Sequence, residues 1–233
     1  MELIDEKGRL FGRVNIVDAL VVLFAIAVLA AGAALVLGGS DTPDTSERMH
    51  VTVETANQSA TAVTSGRVTY DGADANVTDV YRTPNRTYLR VALDGTRTDD
   101  GFQFDRQHVR LGDTPTVATE TAVAGGAVTE RNTTATFDTE TTTVTVEATV
   151  DDSVASAISS GDEQRIRDTT VATITGVDTA SENATHASLD VTLALETRLA
   201  DGTAHYGGSP VRLGRTVAVE TDGYEFEGEI IQR

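Results

Sequence analysis

Nineteen consecutive residues, Ala19 to Leu37, read ALVVLFAIAVLAAGAALVL and carry no charge and no strongly polar group. About 20 apolar residues in helical form are what a bilayer core requires. Helix is also the local conformation that satisfies every backbone N–H and C=O within lipid. The run therefore predicts a transmembrane helix over residues 19–38. Gly32 and the alanines beside it suit close packing between membrane helices. Just upstream, Asn15 stands three residues before Asp18, a variant of the capping box, and the acid suits the positive end of the helix dipole.

Direction follows from the flanking cations. Lys7, Arg9 and Arg13 precede the run, whereas Arg48 follows it among Asp41, Asp44 and Glu47. The positive-inside rule then leaves residues 1–18 in the cytoplasm and places everything after a short polar linker, 39–49, outside the cell membrane. A cleaved signal peptide fits less well. Its apolar core spans roughly 7–15 residues, and here the preceding segment is long and holds Glu2, Asp5, Glu6 and Asp18.

The exposed part alternates with a period of two. Val144, Val146, Ala148 and Val150 are interleaved with Thr145, Glu147 and Thr149. Leu189, Val191, Leu193 and Leu195 alternate with Asp190, Thr192 and Glu196. This is the pattern of half-buried antiparallel strands, and Thr and Val suit the pleated surface. Asp-Gly pairs at 71–72, 94–95, 201–202 and 222–223 are expected to turn the chain between strands. The stretch Ser153–Ile158 lacks alternation and follows Asp151-Asp152, which predicts a short helix.

Five blocks recur in order. Val51–Glu54 returns as Val144–Glu147, Val77–Val80 as Ile174–Val177, and Leu89–Leu93 as Leu189–Leu193. His108–Gly112 returns as Pro210–Gly214, and Thr116–Glu120 as Thr216–Glu220. The expected architecture is mainly β: one N-terminal transmembrane helix, then two tandem β-barrel or sandwich-like repeats, 50–131 and 141–233, with a short helix.

Composition fixes the environment. The net charge is −18, from 36 acidic and 18 basic residues, and Lys7 is the only lysine. Abundant carboxylates with almost no lysine suit molar salt, where the Debye length is about 3 Å and like charges repel little. The expected source is a halophilic archaeon. Nucleic acid is excluded as a partner class, since phosphate binding needs clustered cations. There is no cysteine, so disulfides, thiolate nucleophiles and cysteine-ligated metals are excluded.

Six asparagines are present, and all but Asn15 begin an N-x-S/T sequon: Asn57, Asn76, Asn85, Asn132 and Asn183. These are the candidate glycosylation sites of an extracellular domain. Other chemistry is thin. His50, His108, His186 and His205 lie in no nucleophile or zinc motif, and the acids Asp71, Asp74, Asp99, Asp100 and Asp105 match no EF-hand pattern. No phosphate-binding glycine loop occurs. No catalytic residue, cofactor or metal is assigned.

The opening MELIDEKGRLFGRVNIVDALVV, through Ile4-Asp5, Lys7-Gly8-Arg9-Leu10-Phe11-Gly12, Asn15 and Asp18, resembles an uncharacterised family of bacterial and archaeal membrane proteins, domain of unknown function 4330. The resemblance implies a one-span anchor carrying a β-rich domain and supplies no activity. The segment Asp5 to Asp18 is either an interfacial stretch that snorkels its basic groups or a docking motif for a partner. The expected partners are the lipid bilayer, through 19–37, and an unknown protein of the membrane or envelope. The expected role is a non-enzymatic interaction or structural module at the cell envelope. An accessory, adaptor-like subunit of an envelope transport or export assembly is the alternative, and an extracellular enzyme ranks last.

Overall fold

A computed structural model describes residues 9–10, 14–15, 21, 24–25, 27–28, 45–55, 60, 62–182 and 185–233. The chain divides into two compact units, Met1–Thr45 and Ser46–Arg233.

In the first unit, β1 (Arg9–Leu10) and β2 (Val14–Asn15) form an antiparallel pair with Arg9 opposite Asn15 and Leu10 opposite Val14. Asn15 is thus extended, the backbone conformation that an N-cap also adopts. Asp5, Lys7, Gly8, Phe11, Gly12 and Asp18 lie outside the described residues. Val21, Phe24, Ala25, Ala27 and Val28 are helical and exposed. Among the described residues no helix is long and apolar enough to cross a membrane. The remainder of the expected span 19–38 lies outside them.

The second unit is built of strands. The first sheet contains β3 (Thr45–Thr55), β4 (Gly66–Tyr70), β5 (Ala73–Thr83), β6 (Arg86–Thr98), β7 (Gly101–Phe104), β8 (Gln107–His108), β9 (Thr116–Ala118), β10 (Val123–Gly125) and β11 (Ala127–Asn132). The second contains β12 (Thr139–Asp151), β13 (Glu163–Ile166), β14 (Thr169–Glu182), β15 (His186–Ala200), β16 (Thr203–Tyr206), β17 (Ser209–Pro210), β18 (Thr216–Glu220) and β19 (Glu225–Gln232).

Both sheets follow one plan. The order β4-β5-β6-β3-β11 in the first is matched by β13-β14-β15-β12-β19 in the second. Each has a hairpin beside its longest strand, β7–β8 on β6 and β16–β17 on β15. Each has its own buried core. One gathers Val51, Val53, Leu89, Val91 and Phe102; the other gathers Val144, Val146, Leu193, Leu195 and Ile230. The alternation of β12 and β15 is the cause: their apolar residues are buried on one side and Thr and Glu face outward.

The hydrogen bonds refine the internal match. Gly112 N–H donates to the carbonyl of Val128, and Gly214 N–H to that of Ile230; Val109 donates to Phe102, and Val211 to Ala204. Hairpin pairing likewise sets Thr98 opposite Gly101 and Ala200 opposite Thr203. Leu89 therefore corresponds to Val191 and Val91 to Leu193, two residues away from the match by sequence identity. A slip of two leaves every side chain on its face, so identity alone does not detect it.

Two glycines form the corners. A Cβ on Gly126 would fall on the carbonyl oxygen of Glu54 and 2.9 Å from Val53 Cγ1; one on Gly228 would sit 2.8 Å from Val146 Cγ2 and 3.1 Å from the Glu147 oxygen. The same Val-Glu pair receives the same close approach in each repeat. Gly126 alone separates β10 from β11, the two ends of the first sheet's strand path, so that sheet returns on itself. Pairing of Thr69 with Ala118 and Tyr70 with Val117 completes the circuit. In the second sheet β13 and β18 are end strands of the path.

Two expectations need correction. Asp94-Gly95 is not a turn but lies within β6. Gly95 is required there because a Cβ would strike the Gln103 carbonyl and the Phe102 ring of β7. The helix (α1) spans Asp152–Ala155 rather than reaching Ile158, and the Asp151 side chain makes no capping bond. Asp71-Gly72 and Asp201-Gly202 do turn the chain, with positive φ at both residues of each pair, as a type I′ hairpin requires.

We expect Gly95→Ala to lower the stability of the full-length protein by about 1–3 kcal/mol through overpacking. Gly223→Ala, where a Cβ meets open space, should change it by less than about 0.5 kcal/mol. Thermal melts followed by circular dichroism check both.

Candidate functional site: the joint between the repeats

Inward-facing residues explain each sheet, but three large aromatics form a cluster of their own: Tyr81, Tyr88 and Phe137. Tyr81 lies on β5 and Tyr88 on β6, while Phe137 belongs to the segment joining β11 to β12. The Tyr81 hydroxyl donates across to the second repeat. It lies 2.7 Å from the carbonyl oxygen of Glu196 on β15 and 3.2 Å from that of His205 on β16. Desolvation pushes the Tyr81 phenol well above its ordinary range. Desolvation also raises the Tyr88 phenol, with Glu54 adding to it, to about 12. Both remain neutral across the physiological range.

Two arginines cover this cluster. The Arg90 guanidinium sits 4.5 Å from the Phe137 ring centroid, and that of Arg198 sits 4.8 Å from Tyr88 and 5.9 Å from Phe137. Such cation–π contacts are worth about 0.5–2 kcal/mol each, more when desolvated. Glu130 on β11 lies between them. It accepts a hydrogen bond from Arg198, one from the Thr52 hydroxyl at 3.2 Å and one from the Asn132 amide at 3.2 Å. Arg90 Nη2 is 3.7 Å from the same carboxylate, an ion pair too long for a hydrogen bond.

The connecting segment is fixed from below by β5. The Thr78 hydroxyl donates to the Ala135 carbonyl at 2.6 Å, and Phe137 N–H donates to Asp79 Oδ2 at 2.8 Å. Leu199 N–H donates to the Asp138 carbonyl at 2.8 Å. A cleft of about 670 Å³ opens at this joint, lined by Arg90, Glu130, Asn132, Thr134, Phe137 and Asp201 among others.

A second cleft, of about 460 Å³, lies at one end of the first repeat beside Asp71, His108 and Asp113. Asp71, Asp113 and one ring nitrogen of His108 have local structural partners, while His108 Nδ1 is buried without one. Asp71 accepts from Thr116 N–H and Asp113 from Arg110 N–H, both at 2.7 Å, and His108 Nε2 meets the Gln103 amide at 3.2 Å. His186 faces Asp151 at 3.3 Å on the surface. Among the described residues no three His, Asp or Glu side chains gather where they could hold a metal ion.

The sequons are dispersed. Asn76 is exposed on β5, and Asn85 is exposed in the Pro84-Asn85 turn between β5 and β6. Asn132 is half-buried at the joint. Asn57 and Asn183 lie outside the described residues. Of the candidate docking segment, Arg9, Leu10, Val14 and Asn15 are described, in the β1–β2 pair.

Sequence reasoning did not single out the joint, although a signal existed. In the corrected register Tyr88 corresponds to Asp190, Arg90 to Thr192 and Thr96 to Arg198. The joint residues are those at which the repeats differ in chemical type within otherwise matching strands.

Residues 1–87 match a family described as a domain of unknown function (DUF4330). The match takes in the N-terminal segment and ends just inside β6. No curated protein and no solved structure matches the chain.

Burial raises the Glu130 carboxyl, but the hydrogen bond and charge of Arg198, with help from Thr52 and Arg90, outweigh it and hold the group below its ordinary range. A carboxyl depressed in the folded state contributes stability that is present above its unfolded pKa and lost as pH falls through the folded one. We expect the melting temperature to fall with acid through and below the ordinary Glu range. Glu130→Gln should be less stable at neutral pH and show a shallower acid slope. Equal slopes for the two proteins would contradict the assignment.

Proposed function

We propose that the protein is a single-pass, membrane-anchored component of the cell envelope whose paired β repeats act as an extracellular interaction or spacer module, without catalytic activity. The observation that carries this reading is the uncharged run Ala19–Leu37 with its cations on the N-terminal side. The helical, exposed state of Val21, Phe24 and Val28 agrees with it. An apolar helical surface of this kind is stable when lipid covers it.

Two further observations support a module that binds or spaces. The repeats are joined by buried aromatic and charged contacts, so they form a stiff pair rather than beads on a linker. In the second sheet β13 and β18 end the strand path, and a sheet edge is a ready template for another chain. The exposed sequons at Asn76 and Asn85 fit a surface that is glycosylated outside the cell.

Protease added to intact cells at native salt should remove the C-terminal repeats and leave a short membrane-bound N-terminal fragment that resists carbonate extraction. Full protection of the repeats, or release of the intact chain by carbonate, contradicts the anchor. Intact mass should fall by one glycan in Asn85→Gln and stay free of glycan loss in Asn15→Gln. An unmodified wild-type chain removes the glycosylation reading while leaving the anchor standing.

A further inference from the structure

We propose that the cleft at the joint between the repeats is a binding site for a small oxyanion, such as a carboxylate or phosphate, with Arg90 as its anchor. The Arg90 side chain is only 5% exposed, yet its Nε and Nη1 are buried without a hydrogen-bond partner. Its nearest carboxylate, Glu130, is 3.7 Å away and already accepts hydrogen bonds from Arg198, Thr52 and Asn132. Arg198 is 9% exposed and leaves its own Nε unpartnered.

Two buried guanidinium groups thus share one carboxylate. Removing a guanidinium from water without hydrogen bonds is costly, because its donors lose solvation and gain nothing. Stacking on Phe137 engages the face of the Arg90 fork but leaves its N–H edges unsatisfied. Each of the two free donors forms, together with Nη2, an edge that matches the two oxygens of a carboxylate or phosphate. The cleft lining adds neutral donors, the hydroxyls of Thr134 and Thr136, and an apolar wall from Leu111 and Phe137. Glu130, Asp138 and Asp201 also line it; the Glu130 charge is met by Arg198, and the two aspartates are exposed, where solvent screens them, whereas Arg90 is shielded.

The cleft is also where the repeats depart from their common plan, since the residue matching Arg90 in the second repeat is Thr192. A local feature that breaks internal symmetry, buries a guanidinium with unsatisfied N–H groups and borders open volume is accounted for by a ligand that completes it. This inference does not depend on the membrane anchor.

The test is isothermal titration of the full-length protein in detergent with acetate and with inorganic phosphate, at constant ionic strength. Wild type should show saturable heat with at least one of them. Arg90→Gln should show none, and Arg90→Lys should bind at least tenfold more weakly, since an ammonium lacks the planar fork. Arg165→Gln, at an exposed arginine paired with Glu163, should bind as wild type does. If Arg90→Gln fails to fold, the Arg90→Lys comparison decides. No saturable heat in wild type, or equal affinity in Arg90→Lys, overturns the proposal.

Discussion

A strand with one apolar face must hide that face, and the two sheets here meet the requirement by curving around their own cores. Everything else in the strand-built unit follows from that constraint. Curvature needs corners, and corners bring backbones closer than a side chain permits, so glycine occupies Gly126 and Gly228 against the same Val-Glu pair of each repeat. The first sheet is carried full circle by the short pairing of β4 with β9. The second follows the same strand order with β13 and β18 at its ends. One plan therefore yields two differently finished modules.

The joint depends on a different kind of force. Hydrophobic burial is non-directional and would allow the repeats to slide. The Tyr81 hydroxyl, bonded to carbonyl groups of two strands in the other repeat, and the Arg198–Glu130 pair across the joint both require a defined geometry. The aromatic cluster beneath excludes water and strengthens these polar contacts. Geometry at the joint is thus set by directional bonds and its cohesion by area.

The parts of this fold that were legible in the sequence are those with a local cause. Period-two alternation in β12 and β15 disclosed the strands, and Asp71-Gly72 and Asp201-Gly202 disclosed turns because only a few residues accept their backbone conformation. Asp94-Gly95 misled because glycine serves two purposes, and there it answers a close approach by β7 rather than a turn. The Leu89–Leu93 block matches Leu189–Leu193 by identity but Val191–Leu195 by hydrogen bonding, because Val- and Leu-rich strands resemble themselves at a shift of two. Arg90, Glu130, Arg198 and Phe137 were not legible as a group, since their meeting depends on sheet topology and not on spacing along the chain. The proposed anchor, in contrast, rests on the apolar sequence of residues 19–37 and not on the fold.

The proposed spacer or docking platform needs a stiff pair of modules, and the directional contacts at the joint would hold the repeats in one arrangement. The absence of cysteine makes this directly measurable. Spin labels at Glu120→Cys and Asp222→Cys, exposed positions at corresponding places in the two repeats, report the distance between them by pulsed electron resonance on the full-length protein. A single narrow distribution that broadens in Arg198→Ala is the predicted result. A broad or bimodal distribution in the otherwise wild-type chain would contradict it.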